Sequence, residues 1–166
     1  GQPEDLPLEA ARRVAPEVMF EGGDPSRLPL EIRRDLLSRA CAQLAGNPRR
    51  NSLTDFQAVQ RFAAPDLANL IKTLLIKYRA DNEVVYFLMR MVWQGEIVEA
   101  LDETKVIASS ATDFNVRLVA LSAIGVLGTD ADRAAARAAW LSGSKHAERR
   151  WIAEADVEYD DAASMT

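Results

Sequence analysis

Residues 112–129 read TDFNVRLVALSAIGVLGT, and between Asn115 and Thr129 only Arg117 and Ser122 carry a polar side chain. Thr112 or Asp113 supplies a side-chain oxygen that can cap a helix, and Gly128 can end it. A strand of this composition would show period-two alternation, which is absent. The stretch therefore predicts a helix that is apolar on nearly every side. In a chain of net charge −5 such a helix needs cover from several neighbours. It is expected to be the inner helix of a stack, with Asp113, Asn115, Arg117 and Ser122 kept for polar contacts.

The same pattern stands one step upstream. Asp81-Asn82 precedes EVVYFLMRMVWQ, again apolar on most sides, and Gly95 follows it. A shift of 32 residues lays Asp81 on Asp113, Val84 on Val116, Leu88 on Ala120, Met91 on Ala123 and Val92 on Ile124. A second shift sets Glu148 under Val116, Arg149 under Arg117, Ile152 under Ala120 and Ala155 under Ala123.

Each apolar helix is paired with one that has a wet face. Pro65 and Asp66 open a helix whose stripe is Leu67, Leu70, Ile71, Leu74, Leu75 and Tyr78, opposite Asn69, Lys72, Thr73 and Lys77. Residues 96–109 carry Ile97, Ala100, Leu101, Val106 and Ile107 beside Glu96, Glu99, Asp102 and Glu103. Thr129 can cap DADRAAARAAWLS up to Gly143, and Ser144 can cap KHAERRWIAEA. A helix pair repeated at this length buries its inner faces only by stacking on its neighbours, as in an α-solenoid.

Upstream the period blurs. Prolines at 3, 7, 16, 25 and 29 and Gly22-Gly23 divide the start into short helices, near 6–14 and 16–21. From Pro29 to Ala45, Ile32, Leu36, Leu37, Ala40, Cys41 and Leu44 share one helical face, and Gly46-Asn47-Pro48 stops it. Ser52 or Thr54 can then cap a short helix that buries Phe56, Val59 and Phe62. After Ala155 the chain turns acidic, with no base.

The pattern Asp113-x-x-Val116-Arg117-x-x-Ala120-x-x-Ala123-Ile124-x-x-Leu127-Gly128 resembles the second helix of a HEAT repeat. The likeness is good over 112–128, fair over 81–95, where Val85 replaces the arginine, and weak before residue 64. It implies a pairing of Arg149 with Asp113, or of Arg117 with a group near Asp81. The local alternative is an Asp113–Arg117 pair along one helix. Taken with the short N-terminal units, the whole looks like the helical region that lies downstream of the nucleotide-binding core in large bacterial NACHT-type NTPases. No G-x-x-x-x-G-K-[ST] loop is present, so that resemblance assigns nucleotide chemistry to another part of a parent chain.

The residues themselves offer little for catalysis. Cys41 lies between alanines, which fits a small buried hydrophobe, and His146 is far from it in sequence. The acid series from Glu96 to Glu103 could hold a cation but reads better as a solvated outer face. The standing serines and threonines precede helices, and no zinc-ligand spacing occurs. A pI near 5.0 disfavours a chain whose main task is gripping nucleic acid. Arg12-Arg13, Arg33-Arg34 and Arg49-Arg50 sit near acids and read as solvated faces. No apolar run reaches the roughly 18 residues of a membrane span, and no signal peptide is recognised, so a cytoplasmic piece is expected.

The expectation is thus an all-α chain, a single helical-repeat domain with antiparallel helix pairs in a short right-handed α-solenoid. Residues 1–63 would be irregular helices, 64–156 HEAT-like pairs and 157–166 an acidic tail, the whole a fragment of a larger protein. The expected role is a non-catalytic protein-interaction or regulatory module without cofactor or metal, whose partner is a protein or other domains of the same chain. The alternative is a nucleic-acid-binding or base-repair module on the same scaffold. Candidate contact residues are Tyr86, Arg90 and Trp93 on one helix face, Arg117, and Trp140 and Trp151, whose expected role is to pack against a following unit.

Overall fold

Two aspartates set the frame. In the computed structural model, which describes residues 25–46 and 56–143, Asp81 Oδ1 accepts from the backbone N–H of Val84 at 3.1 Å. Asp113 Oδ1 does the same for Val116 at 3.0 Å. Each bond satisfies a donor that a helix start leaves open, worth about 1 kcal/mol. The capped helices are α4 (Asn82–Gln94) and α6 (Phe114–Leu127), numbered after α1 (Leu30–Gly46), α2 (Phe56–Phe62) and α3 (Ala68–Lys77), with α5 (Leu101–Ser110) between them and α7 (Asp130–Gly143) last. The described residues hold no strand.

The partner helices repeat as closely as the capped ones. A 3-10 turn, Pro65–Leu67, leads into the ten residues of α3, and another, Val98–Ala100, leads into the ten residues of α5. The offset here is 33 residues, and it lays buried Leu67 on Ala100, Ile71 on Thr104 and Leu75 on Ala108. Val84, Leu88, Met91 and Val92 of α4 and their counterparts Val116, Ala120, Ala123 and Ile124 of α6 are all buried. Thr104 is the one polar member of this set, and its hydroxyl donates to Ala100 O at 2.8 Å, so burial leaves it satisfied.

Packing follows the same order. α4 and α6 lie against each other over most of their length, α5 covers α6, and α1, α2 and α3 close around α4. α7 touches both α5 and α6. Lys72 on α3 reaches Glu103 on α5 at 3.4 Å, and Lys105, its counterpart on α5, reaches Asp132 on α7 at 3.2 Å. One ion-pair step therefore recurs between successive partner helices.

The structure departs from expectation at several points. The helix expected over 96–109 begins only at Leu101, because Glu96 takes a left-handed conformation, φ 49°. Its N–H bonds Trp93 O and that of Ile97 bonds Val92 O at 3.0 Å, the paired bonds that close a helix end, while Ile97 tucks into the core. Gly95 precedes the reversal for a different reason: a Cβ there would stand 2.7 Å from Ala63 Cβ. α6 stops by other means, with Arg133 Nη1 donating to the carbonyls of Gly125 and Gly128 at 3.0 and 2.7 Å.

Val106, expected on the buried stripe, stands in solvent. Its helix turns Thr104 and Ala108 to the core, which leaves Val106 on the opposite side. Arg33, expected on a wet face, is buried: its guanidinium forms a two-point ion pair with Asp66, one bond at 2.9 Å, and its Nε donates to Leu28 O. That pair ties α1 to the turn before α3. Phe114 and Val126 of α6 are exposed, so this helix is not enclosed all round. The helices expected near 6–14 and 16–21, the caps at Ser52, Thr54 and Ser144, and Arg149, His146 and Trp151 lie outside the described residues.

Candidate functional site

Along α4, Tyr86, Arg90 and Trp93 fall on one face, as their spacing requires. The Arg90 guanidinium carbon lies 6.0 Å from the Tyr86 ring centroid. Tyr86 and Trp93 are half-buried, whereas Arg90 is buried rather than displayed to solvent.

A second cluster joins α6 to α7. Arg117, for which a carboxylate partner was expected, forms no ion pair with Asp113 or Asp81. Instead its guanidinium carbon sits 4.6 Å from the centroid of the Trp140 ring, a cation–π contact. Phe114 meets the same indole from another side at 5.8 Å, with planes inclined by 56°. Trp140, expected on an open end, is 3% exposed. Arg117 Nε and Trp140 Nε1 are both enclosed without an acceptor, so the contact is held by stacking rather than by hydrogen bonds. The small side chains Ala135, Ala136 and Ala139 make room for this indole and border a cavity of about 230 Å³ between α5, α6 and α7.

A larger concavity lies elsewhere. A groove of about 780 Å³ opens between the α3–α4 pair and the α5–α6 pair. Core residues Leu75, Val85 and Val116 contribute to it, and the exposed Ile76 and Val106 stand in its lining. Arg79 is on the α3 side and Asp102 and Glu103 are on the α5 side. Sequence reasoning singled out neither Ile76 nor Arg79. The signal for Ile76 was available, since it falls off the stripe of Leu70, Ile71, Leu74 and Leu75.

Among the described residues, titration behaviour marks no reactive centre. Burial pushes the Cys41 thiol up to about 12, so it stays protonated at neutral pH and acts as a core hydrophobe. The Asp132 carboxyl is held below its ordinary range, first by the backbone N–H and hydroxyl of Thr129 and then by Lys105. Lys105 is raised by its hydrogen bonds to Asp102 and Asp132. These shifts belong to a helix cap and an ion-pair step. Among the described residues no group of three or more His, Cys, Asp or Glu could hold a metal ion, and no helix is long and apolar enough to cross a membrane. Comparison with known proteins finds no matching family model, no matching curated protein and no matching solved structure.

Proposed function

We propose that the chain is a non-catalytic protein-interaction or regulatory module, a segment of a HEAT-like α-solenoid within a larger protein. The observation that carries this reading is the repeated unit. A 3-10 turn with its partner helix, followed by an aspartate-capped inner helix, occurs twice at offsets of 32 and 33 residues. The Lys72–Glu103 and Lys105–Asp132 pairs join each partner helix to the next. A stack of this kind presents long continuous surfaces, and its usual work is to bind a partner or pass on a change of shape.

The competing reading is a nucleic-acid or base-repair module. It requires clustered cations, and the burial of Arg33 against Asp66 removes one of the few candidates. Titration of labelled DNA and RNA duplexes with micromolar protein at several salt concentrations separates the two. The interaction reading expects no salt-dependent complex; binding that weakens steeply as salt rises would sink it. Membership in a NACHT-type NTPase is tested by the sequence of the encoding gene, where a phosphate-binding loop upstream supports it and its absence from the complete parent chain rejects it.

A further inference from the structure

Helix α7 is joined to its neighbours more lightly than α5 is. From Asp130 to Leu141 only Trp140 is buried, Asp132 and Ala136 are half-buried, and the other residues face solvent. α5, by contrast, turns Thr104 and Ala108 inward and follows buried Ile97 and Ala100. Trp140 stands apart from the continuous apolar core, and the cavity of about 230 Å³ separates part of α7 from α5 and α6.

The Trp140 contact also carries a cost. Arg117 Nε and Trp140 Nε1 are enclosed without acceptors, and a donor that gives up water without gaining a partner destabilises the state that encloses it. Both cations that meet α7 have an acid on their own side. Lys105 holds Asp102 at 3.1 Å as well as Asp132 at 3.2 Å, so losing Asp132 leaves it paired. Arg117 stands four residues after Asp113, the spacing at which an acid and a base meet along one helix, yet it is drawn to the Trp140 ring instead. The start of α7 is better tied. Arg133 bonds the carbonyls of Gly125 and Gly128, and Thr129 and Asp132 cap each other. Trp140 lies about 16 Å along the helix from Thr129, so a small rotation at that end moves the indole furthest.

We propose that α7 is a latch, hinged where Gly128 meets Thr129. Closed, Trp140 covers Arg117. Open, Arg117 pairs with Asp113, Lys105 keeps Asp102, and Leu121 and Ile124 of α6, which border the cavity, are bared. The latch thereby switches the surface that α6 offers to whatever packs beyond it. It goes beyond the interaction reading, which is decided by its own test.

The test is thiol labelling of the full chain bearing Ala108→Cys, a position on α5 that lines the cavity and is 8% exposed. Native Cys41, fully buried in the core, is the reference for global unfolding. The introduced thiol is expected to react at least about tenfold faster than Cys41, since a local opening needs less free energy than unfolding. Asp113→Asn keeps a capping side chain but removes the acid that receives Arg117 in the open state, so it should slow the introduced thiol about twofold and leave Cys41 unchanged. Trp140→Ala should speed the introduced thiol about tenfold. Equal rates for the two thiols overturn the latch. Asp113→Asn without slowing overturns the exchange of Arg117 between partners, and Trp140→Ala without speeding overturns the hold assigned to the indole. Hydrogen exchange on the unsubstituted chain gives a second measure. A lifted helix of fourteen residues is marginal alone, so α7 amides should exchange about a hundredfold faster than those of α4; exchange of both helices at one rate overturns the latch.

Discussion

Helices α4 and α6 occupy equivalent places and lie against each other, yet they are buried to different degrees. Eight of the thirteen residues of α4 are buried, Arg90 among them, against five of the fourteen of α6. Their composition would suggest the reverse, since α6 is the more apolar helix, with no acid and only one base. The difference comes from neighbours. α4 is closed in by α1, α2 and α3 on one side and by α6 on the other, whereas α6 has α4, α5 and the edge of α7. Apolarity creates the demand for cover, but position in the stack decides how much cover arrives.

Their ends differ as well. α4 closes through a left-handed Glu96 and buried Ile97, while the end of α6 is held by a guanidinium from the next helix. The first solution is local and strained. The second depends on α7 being in place.

The largest way to break this comparison is Leu88→Ala, which gives α4 the side chain that α6 carries at the equivalent Ala120. Both positions are fully buried, and a cavity in the better-enclosed helix should cost about 2–5 kcal/mol in urea unfolding. An effect below about 1 kcal/mol would show that the α4 core is loose. Next is Gly95→Ala. The added Cβ meets Ala63 Cβ and Met91 O, so a loss of about 1–3 kcal/mol is expected from overpacking; no loss would mean the α2–α4 contact yields easily.

A gain comes third. Glu96→Gly relieves the left-handed backbone at an exposed residue and should raise stability by about 1 kcal/mol. An unchanged midpoint would mean that the Glu96 conformation carries no strain.

The smallest effect concerns pH at the α5–α7 step. A lowered Asp132 pKa means stability that is present above the ordinary carboxylate range and lost as pH falls through the folded value. Asp132→Asn should flatten that acid-side loss in thermal melts taken across the range, with little change near pH 7 in its slope. A melt profile identical to wild type would show that the cap and the Lys105 pair do not hold α7.

Much of the site is off the stripe that sequence reading follows. The Asp81 and Thr129 caps were legible, and the start between them was narrowed to Thr112 or Asp113, because caps rest on contacts within a few residues; Cys41 was legible from its place on the apolar face of its helix. Trp140 and Arg117 were both singled out, but nothing in their spacing announced that they would meet, since the contact joins two helices. Ile76 could be read as off its stripe, whereas Val106 was legible as apolar and not as exposed. Which side of α5 faces the core follows from Thr104 and Ala108 being small enough for its neighbours to approach closely, a property of the pair of surfaces.

The sequence alone determined the helical class, the starts at Asp81 and Thr129, a start at Thr112 or Asp113 between them, and the spacing near 32 residues. Capping bonds and helical periodicity act over one or two turns and need no distant partner. Only the tertiary structure decided that Arg33 is buried on Asp66, that Glu96 takes a left-handed turn, that Trp140 stacks under Arg117, and that a groove opens between the two helix pairs. Burial and stacking depend on what lies opposite, and residues tens of positions away bring that into place.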